Sequence, residues 1–207
     1  MTKRLIDIVA SAIALVALAP LLLVIALAVR CTSQGPVIYS QRRVGRNGRE
    51  FWIYKFRSMR HAPEARQGPL VTASGDSRIT SVGRVLRKAK LDELPQLWNV
   101  LIGDMSLVGP RPEVPEYVAQ YTSAQREILA YRPGITCVSS LEMFDEESVL
   151  AAAEDPEALY RNVIMPEKLQ LALDYAKGAN TWSDCFLIGS TLGRIARGGE
   201  RPSRRAA

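Results

Sequence analysis

Hydrophobic positions are distributed unevenly along this chain. From Ile8 to Val29 no charged residue interrupts a run of Ala, Leu, Val and Ile, long enough as a helix to cross a hydrocarbon core of about 30 Å. A membrane segment is predicted. Lys3 and Arg4 precede the run and Ala17-Leu18-Ala19 mimics a signal-cleavage site, but Pro20 follows directly and the apolar run resumes from Leu21, which argues against cleavage. Basic residues stand on both sides, with Arg30, Arg42, Arg43, Arg46 and Arg49 after the run, and positive flanks favour the cytoplasmic face. Pro20 removes a ladder hydrogen bond near the middle. Two arrangements stand on these residues: a straight span, and a helix bent at Pro20 that enters and leaves by one face. Asp7 is spaced to pair with Lys3 or Arg4.

The period then shortens to two. Val37 to Gln41 and Phe51 to Phe56 are β-prone, and Asn47-Gly48 between them signals a hairpin turn. Trp52, Tyr54 and Phe56 share one face. Lys55 and Arg57 share the other, as a solvated surface or as cations for an anionic substrate. His61 to Asp76, with Pro63, Gly68, Pro69 and Gly75, reads as a loop. Helical spacing returns with Ile79, Val82, Val85 and Leu86, opposite Arg84, Arg87 and Lys88. A second stripe, Leu91, Leu94, Leu97, Trp98 and Leu101, follows, and Pro95 is tolerable only near its first turn. Asp92 is therefore predicted at or beside the N-cap, where free N–H groups and the helix dipole favour its anion. Further helices are expected from Pro156-Glu157, from Pro166-Glu167 to Gly178, and from Trp182 to Ala196. The acidic run Glu142, Asp145, Glu146 and Glu147 reads as a solvated helix start.

Charge narrows the chemistry. The 207 residues carry a net charge of +6 with pI near 9.4, which points to an anionic partner. Cys31, Cys137 and Cys185 are too scattered for a disulfide framework or a clustered zinc site, and His61 is the single histidine. Asp92 and Glu93 are adjacent, with Arg87, Lys88 and Lys90 just upstream. Taken alone the two acids read first as a helix cap and its first turn, with a phosphate site as the alternative. Arg111 stands between Pro110 and Pro112, which fix its backbone and reduce the entropy lost in gripping an anion.

Taken together, KRLIDI with its later proline, VIYSQRRVGRNGREFWIYKFRSM, DSRITSVGRVLRKAKLDELPQLWNVLIGDMSLVGPRP and Arg132-Pro-Gly-Ile-Thr136 resemble the bacterial sugar transferases, the monotopic phosphoglycosyl transferases. The resemblance implies that Asp92 is the nucleophile, that Glu93 binds Mg²⁺, and that Arg87, Pro110, Arg111 and Pro112 hold the nucleotide-sugar. Asp184, after Trp182, matches a further family aspartate. Pro20 matches the break of a re-entrant membrane helix and tips the topology that way. The implied reaction moves a sugar 1-phosphate from a UDP-sugar to undecaprenyl phosphate in two displacements, releasing UMP. Two departures stand out. Ala19 replaces a common serine before the proline, and the window Cys137 to Phe144 lacks an expected arginine.

The expected architecture is α+β and mainly helical. Residues 1-30 form the re-entrant membrane helix, 31-193 the cytoplasmic catalytic domain with its small β-hairpin, and 194-207 a basic flexible tail. Lys55 and Arg57 join Asp184 as candidate substrate-binding residues. Expected partners are a UDP-sugar, undecaprenyl phosphate and lipid of the bacterial inner membrane, with no nucleic acid; a homo-oligomer is left open. The rival from another class is a membrane-anchored binding protein whose carboxylates only cap helices.

Overall fold

The computed structural model describes residues 2–60 and 75–197. His61, most of the loop predicted after it, and positions 198–207 of the predicted tail lie outside the described residues. Helix α1, Thr2–Thr32, is continuous and contains Pro20. The proline leaves the helix uninterrupted, since one lost ladder bond can be absorbed without ending a helix. The helix is long and apolar enough to cross a membrane. Between Ser11 and Ile25 it has no buried residue, and Ile13, Val16, Leu23 and Val24 are among its exposed apolar side chains.

Both ends of α1 are tied to the rest of the chain. Arg4 donates to the carbonyls of Val100 at 2.6 Å and Leu101 at 3.0 Å, Asp7 accepts from Ser106 Oγ at 2.8 Å and from the Leu107 N–H at 3.2 Å, and Lys3 pairs with Asp184. The local pairing expected of Asp7 with Lys3 or Arg4 is replaced by these long-range partners, which satisfy a buried carboxylate with two donors. At the other end Ile25 and Val29 pack with Phe56 and Leu86.

The hairpin is present, with β1, Ile38–Val44, antiparallel to β2, Glu50–Phe56. Asn47, at φ 58°, and Gly48, at φ 75°, make the turn that their sequence signals. Helix α2, Ser81–Lys88, starts at Thr80, whose Oγ1 accepts the Gly83 N–H at 2.9 Å. Helix α3, Gln96–Ile102, follows after a 3-10 turn at Leu91–Glu93. A short parallel pair, β3 at Ser106–Val108 and β4 at Gly134–Thr136, then crosses closely at Gly109 and Gly134. A Cβ on Gly109 would lie 2.3 Å from the Arg132 carbonyl oxygen, so only glycine fits.

The remaining helices are α4 at Pro115–Val118, α5 at Val138–Glu142, α6 at Glu146–Ala151, α7 at Pro156–Leu159, α8 at Met165–Gly178 and α9 at Thr181–Ala196. The main core joins Val44 of β1 with Tyr117, Leu150 and Leu169 of these helices, and with Ile128 and Ile164 from a 3-10 segment at Gln125–Ala130 and a π-helical turn at Tyr160–Ile164. Mainly helical α+β architecture is as expected. The tail boundary moves: Arg194 belongs to α9, donates to the Leu141 carbonyl at 2.6 Å and covers the Phe144 ring at 4.8 Å.

Candidate active site

The acidic pair sits in the connection between two helices. Helix α2 ends at Ala89 and Lys90, and Lys90 takes the left-handed conformation at φ 54°, where glycine is usual. For a lysine that conformation costs about 1 to 2 kcal/mol, and it turns the chain sharply into Leu91–Glu93. Asp92 and Glu93 are both buried by this turn. The N-cap of α3 is Pro95, so the predicted capping role of Asp92 is corrected: the acids precede the helix by a separate turn and receive no capping hydrogen bond.

Glu93 is the electrostatic centre. Its Oε1 accepts from Lys55 Nζ at 2.8 Å and from Arg111 Nη2 at 2.8 Å. Burial pushes its carboxyl up, but Arg111, Lys55 and Lys90 outweigh burial and hold it well below the usual carboxylate range. Asp92 is the converse. Burial and the neighbouring Glu93 charge raise its carboxyl, with Lys55, Arg87 and Lys90 offsetting only part. Its Oδ1 is buried without a hydrogen-bond partner among the described residues. Two adjacent buried carboxylates resist a second negative charge, and the cations place the first on Glu93. The helix-dipole stabilisation of Asp92 expected from the sequence is therefore absent, and its carboxyl is shifted upward instead. Burial lowers the affinity of Lys55 for its proton, with Glu93 acting in the opposite sense. Glu93 raises that of Arg111.

Lys55 reaches Glu93 because β2 is clamped to α3. Asn99, fully buried, accepts the Tyr54 N–H through Oδ1 at 3.1 Å and donates through Nδ2 to the Trp52 carbonyl at 2.7 Å. Nothing in the apolar stripe pointed to Asn99, and Trp98, which the stripe placed inside, is 51% exposed. Behind Arg111 lies a second polar network that the sequence did not suggest. Glu113 accepts from the Tyr160 hydroxyl and from Arg43 Nη1 at 3.5 Å, and Lys168 pairs with Glu146 at 2.9 Å. Of the acidic run, Asp145, Glu146 and Glu147 start α6 while Glu142 ends α5, and two members are paired, Glu146 with Lys168 and Glu147 with Arg87.

The other candidates separate. The Pro110 carbonyl accepts the Gly134 N–H at 2.9 Å and that of Pro112 accepts Arg43 Nη1 at 3.0 Å, so both prolines serve to fix Arg111. Arg57 is buried away from the pair, donating to the carbonyls of Val29, Ser33 and Pro36 at the end of α1. Those three carbonyls engage both of its terminal nitrogens. Asp184 is tied to Lys3 and to the Tyr175 hydroxyl at 2.8 Å. It lines a cavity of about 480 Å³ beside the first turns of α1, together with Pro110. That cavity lies past the end of α3, where Arg4 caps the helix, whereas the acidic pair precedes its start.

A profile of the bacterial sugar transferase family matches residues 1–198. The chain belongs to that family. A UDP-N-acetylgalactosamine-undecaprenyl-phosphate N-acetylgalactosaminephosphotransferase of Aeromonas hydrophila is 39% identical over 202 residues, covering 95% of this chain and 44% of the relative. A UDP-glucose:undecaprenyl-phosphate glucose-1-phosphate transferase of Caulobacter vibrioides is 38% identical over 203 residues, covering 92% of this chain and 68% of the relative. The exopolysaccharide production protein ExoY of Rhizobium meliloti is 42% identical over 150 residues, covering 66% of each. The chain thus spans a little under half of one of these relatives and about two thirds of the other two.

Proposed function

We propose that this protein is a phosphoglycosyl transferase that moves a sugar 1-phosphate from a UDP-sugar to undecaprenyl phosphate at the cytoplasmic face of the bacterial inner membrane. The observation that carries this reading is the division of labour in the acidic pair. Glu93 is neutralised by two cations, while Asp92 keeps a buried, unpartnered oxygen beside them. An Asp92 Oδ attacks the sugar-bearing phosphorus; the new O–P bond forms as the bond to the bridging oxygen breaks, and UMP leaves with that oxygen and its electron pair. A phosphate oxygen of the lipid then attacks the same phosphorus, and the Asp92 carboxylate departs. Lys55, Arg111 and Arg87 reduce the repulsion between this carboxylate and the diphosphate. For the phosphate to reach Arg87, Glu147 must release it.

Mg²⁺ belongs to the proposal. Among the described residues no group of three or more acids, histidines or cysteines could hold a metal by itself. A carboxylate pair with an orphaned oxygen nevertheless suits an ion that takes its other ligands from water and substrate phosphates. Glu93 would hold it, beside the nucleophile Asp92, and it would supply charge neutralisation at the diphosphate.

We also read α1 as re-entrant. Arg4 fastens its first turn to α3 and Arg57 grips the Val29 and Ser33 carbonyls at its end, yet the apolar middle is unburied. A straight span would put these ends about 30 Å apart across the hydrocarbon, where one domain could not hold both. Pro20, between the anchored ends, is the place for a bend.

The test is UMP release from a panel of UDP-sugars with undecaprenyl phosphate and Mg²⁺. The protein is expected to release UMP and Asp92→Asn is not; equal behaviour of the two would end the proposal. Topology is read by labelling Cys31 and an introduced Thr2→Cys with a membrane-impermeant maleimide. Labelling from one face supports re-entry, and from opposite faces rejects it.

A further inference from the structure

The cavity beside the start of α1 is chemically unlike the acidic site. Lys3 and Arg4 of α1, Arg46 of the hairpin turn and Arg132 before β4 all line it, opposite an apolar wall that includes Val108, Tyr131, Val138 and Ala172. Lys3 is paired with Asp184. Arg4 and Arg46 reach only carbonyls, Arg46 through Nε to Ala130 at 3.0 Å. Among the described residues, no carboxylate oxygen lies within 4.0 Å of a guanidinium nitrogen of Arg4, Arg46 or Arg132. The acids that do line the cavity are already engaged: Asp7 by Ser106 and Leu107, Asp184 by Lys3 and Tyr175. Burial and then the charges of Arg4 and Arg46 lower the proton affinity of Arg132, with Asp7 and Asp104 offsetting part. Three guanidiniums converging without a carboxylate partner of their own leave a surplus of positive charge that an anion would relieve.

The surroundings indicate where that anion comes from. Leu5, Ile6 and Val9, in the same turns of α1 as the lining residues, are exposed, and Trp182, next to the lining residue Thr181, is 86% exposed. Apolar side chains, an amphipathic aromatic and a cationic recess at one level describe a bilayer interface. We propose that this cavity binds the phosphodiester headgroup of an anionic membrane lipid, apart from the acidic site, and so locks α1, the hairpin, β4 and α9 together at the membrane surface. The proposal rests on reading α1 as the membrane anchor. Arg46 and Arg132 would form forked hydrogen bonds to the phosphate oxygens, while the apolar wall meets the glycerol and first methylene groups.

The test uses the full chain in neutral-detergent micelles, with thermal stability followed during titration with short-chain phosphatidylglycerol, short-chain phosphatidylcholine, or UMP. Phosphatidylglycerol is expected to raise the melting temperature and phosphatidylcholine is not. The Arg46→Gln/Arg132→Gln variant is expected to need about 25-fold more phosphatidylglycerol, roughly fivefold for each guanidinium removed. The exposed-site control Arg49→Gln/Arg126→Gln should match the unaltered chain, and Arg46→Lys/Arg132→Lys, which keeps the charge, should recover most of the response. Equal stabilisation by the two lipids, or an unchanged response in the Gln variant, overturns the site. Stabilisation by UMP that the Gln variant loses, with none from phosphatidylglycerol, also overturns it and makes the cavity a nucleotide site. Partition of the unaltered chain onto pure phosphatidylcholine vesicles tests the anchor separately: without partition the anchor fails, whereas partition without a phosphatidylglycerol response fails the cavity alone.

Discussion

The acidic pair and the arginine-lined cavity stand on either side of α3 and solve opposite electrostatic problems. Around Glu93 the chain supplies its own counter-charges, Lys55 and Arg111, at 2.8 Å each, and leaves one carboxyl oxygen of Asp92 over. Around Arg132 it supplies carbonyl dipoles and already-engaged acids, and leaves guanidiniums over. Burial alone does not mark either as functional, because buried charges that are fully paired can be purely structural. The unsatisfied remainder is what carries information: an orphaned carboxylate oxygen suits an electrophilic phosphorus or a cation, and unpaired guanidiniums suit a phosphate.

The sharpest way to break this contrast is Asp92→Asn, expected to reduce UMP release by at least about 10³-fold, as loss of a nucleophile does. The same change should hold or raise thermal stability at neutral pH. A carboxyl whose folded pKa lies above its unfolded value binds protons more tightly when folded, so its stability contribution is present at low pH and lost as pH rises through the raised pKa. The amide escapes that loss. A flattened stability profile for Asp92→Asn, measured between acid and neutral pH, checks the sign. UMP release by the unaltered chain should likewise show an acid limb above the ordinary aspartate range. Arg111→Met leaves the buried Glu93 charge with Lys55 as its one hydrogen-bonded cation; chemical denaturation should register a loss of about 3 kcal/mol. Asn99→Leu leaves the Tyr54 N–H and the Trp52 carbonyl unpaired. A loss of about 2 kcal/mol is expected, with slower UMP release as Lys55 shifts. At the small end, Arg42→Ala removes an exposed ion pair to Glu50 and should change stability by less than about 0.5 kcal/mol. A larger change there would mean that the hairpin surface participates in something more than solvation.

Local pattern carried much of this fold. The apolar run of α1, the Asn47-Gly48 turn and the helix starts at Pro156 and Pro166 were all readable, because each depends on a few adjacent side chains and their intrinsic backbone preferences. The pairing of Asp92 with Glu93 and the basic residues upstream were readable for the same reason. Tertiary structure decided the rest. It buried Asn99 in α3 while leaving Trp98 half exposed, because a polar side chain with its partners supplied packs as well as an apolar one. It gave Asp7 and Lys3 partners about a hundred residues or more away, and it sent Lys55 of β2 to Glu93 but Arg57, just past that strand, to the end of α1. It also brought Arg194 from the last helix to the window that lacked an arginine. The sequence by itself determined which charges this protein carries and which short segments present them. Only the fold determined which of those charges are neutralised, because that depends on distances between segments remote in sequence and on the water removed around them.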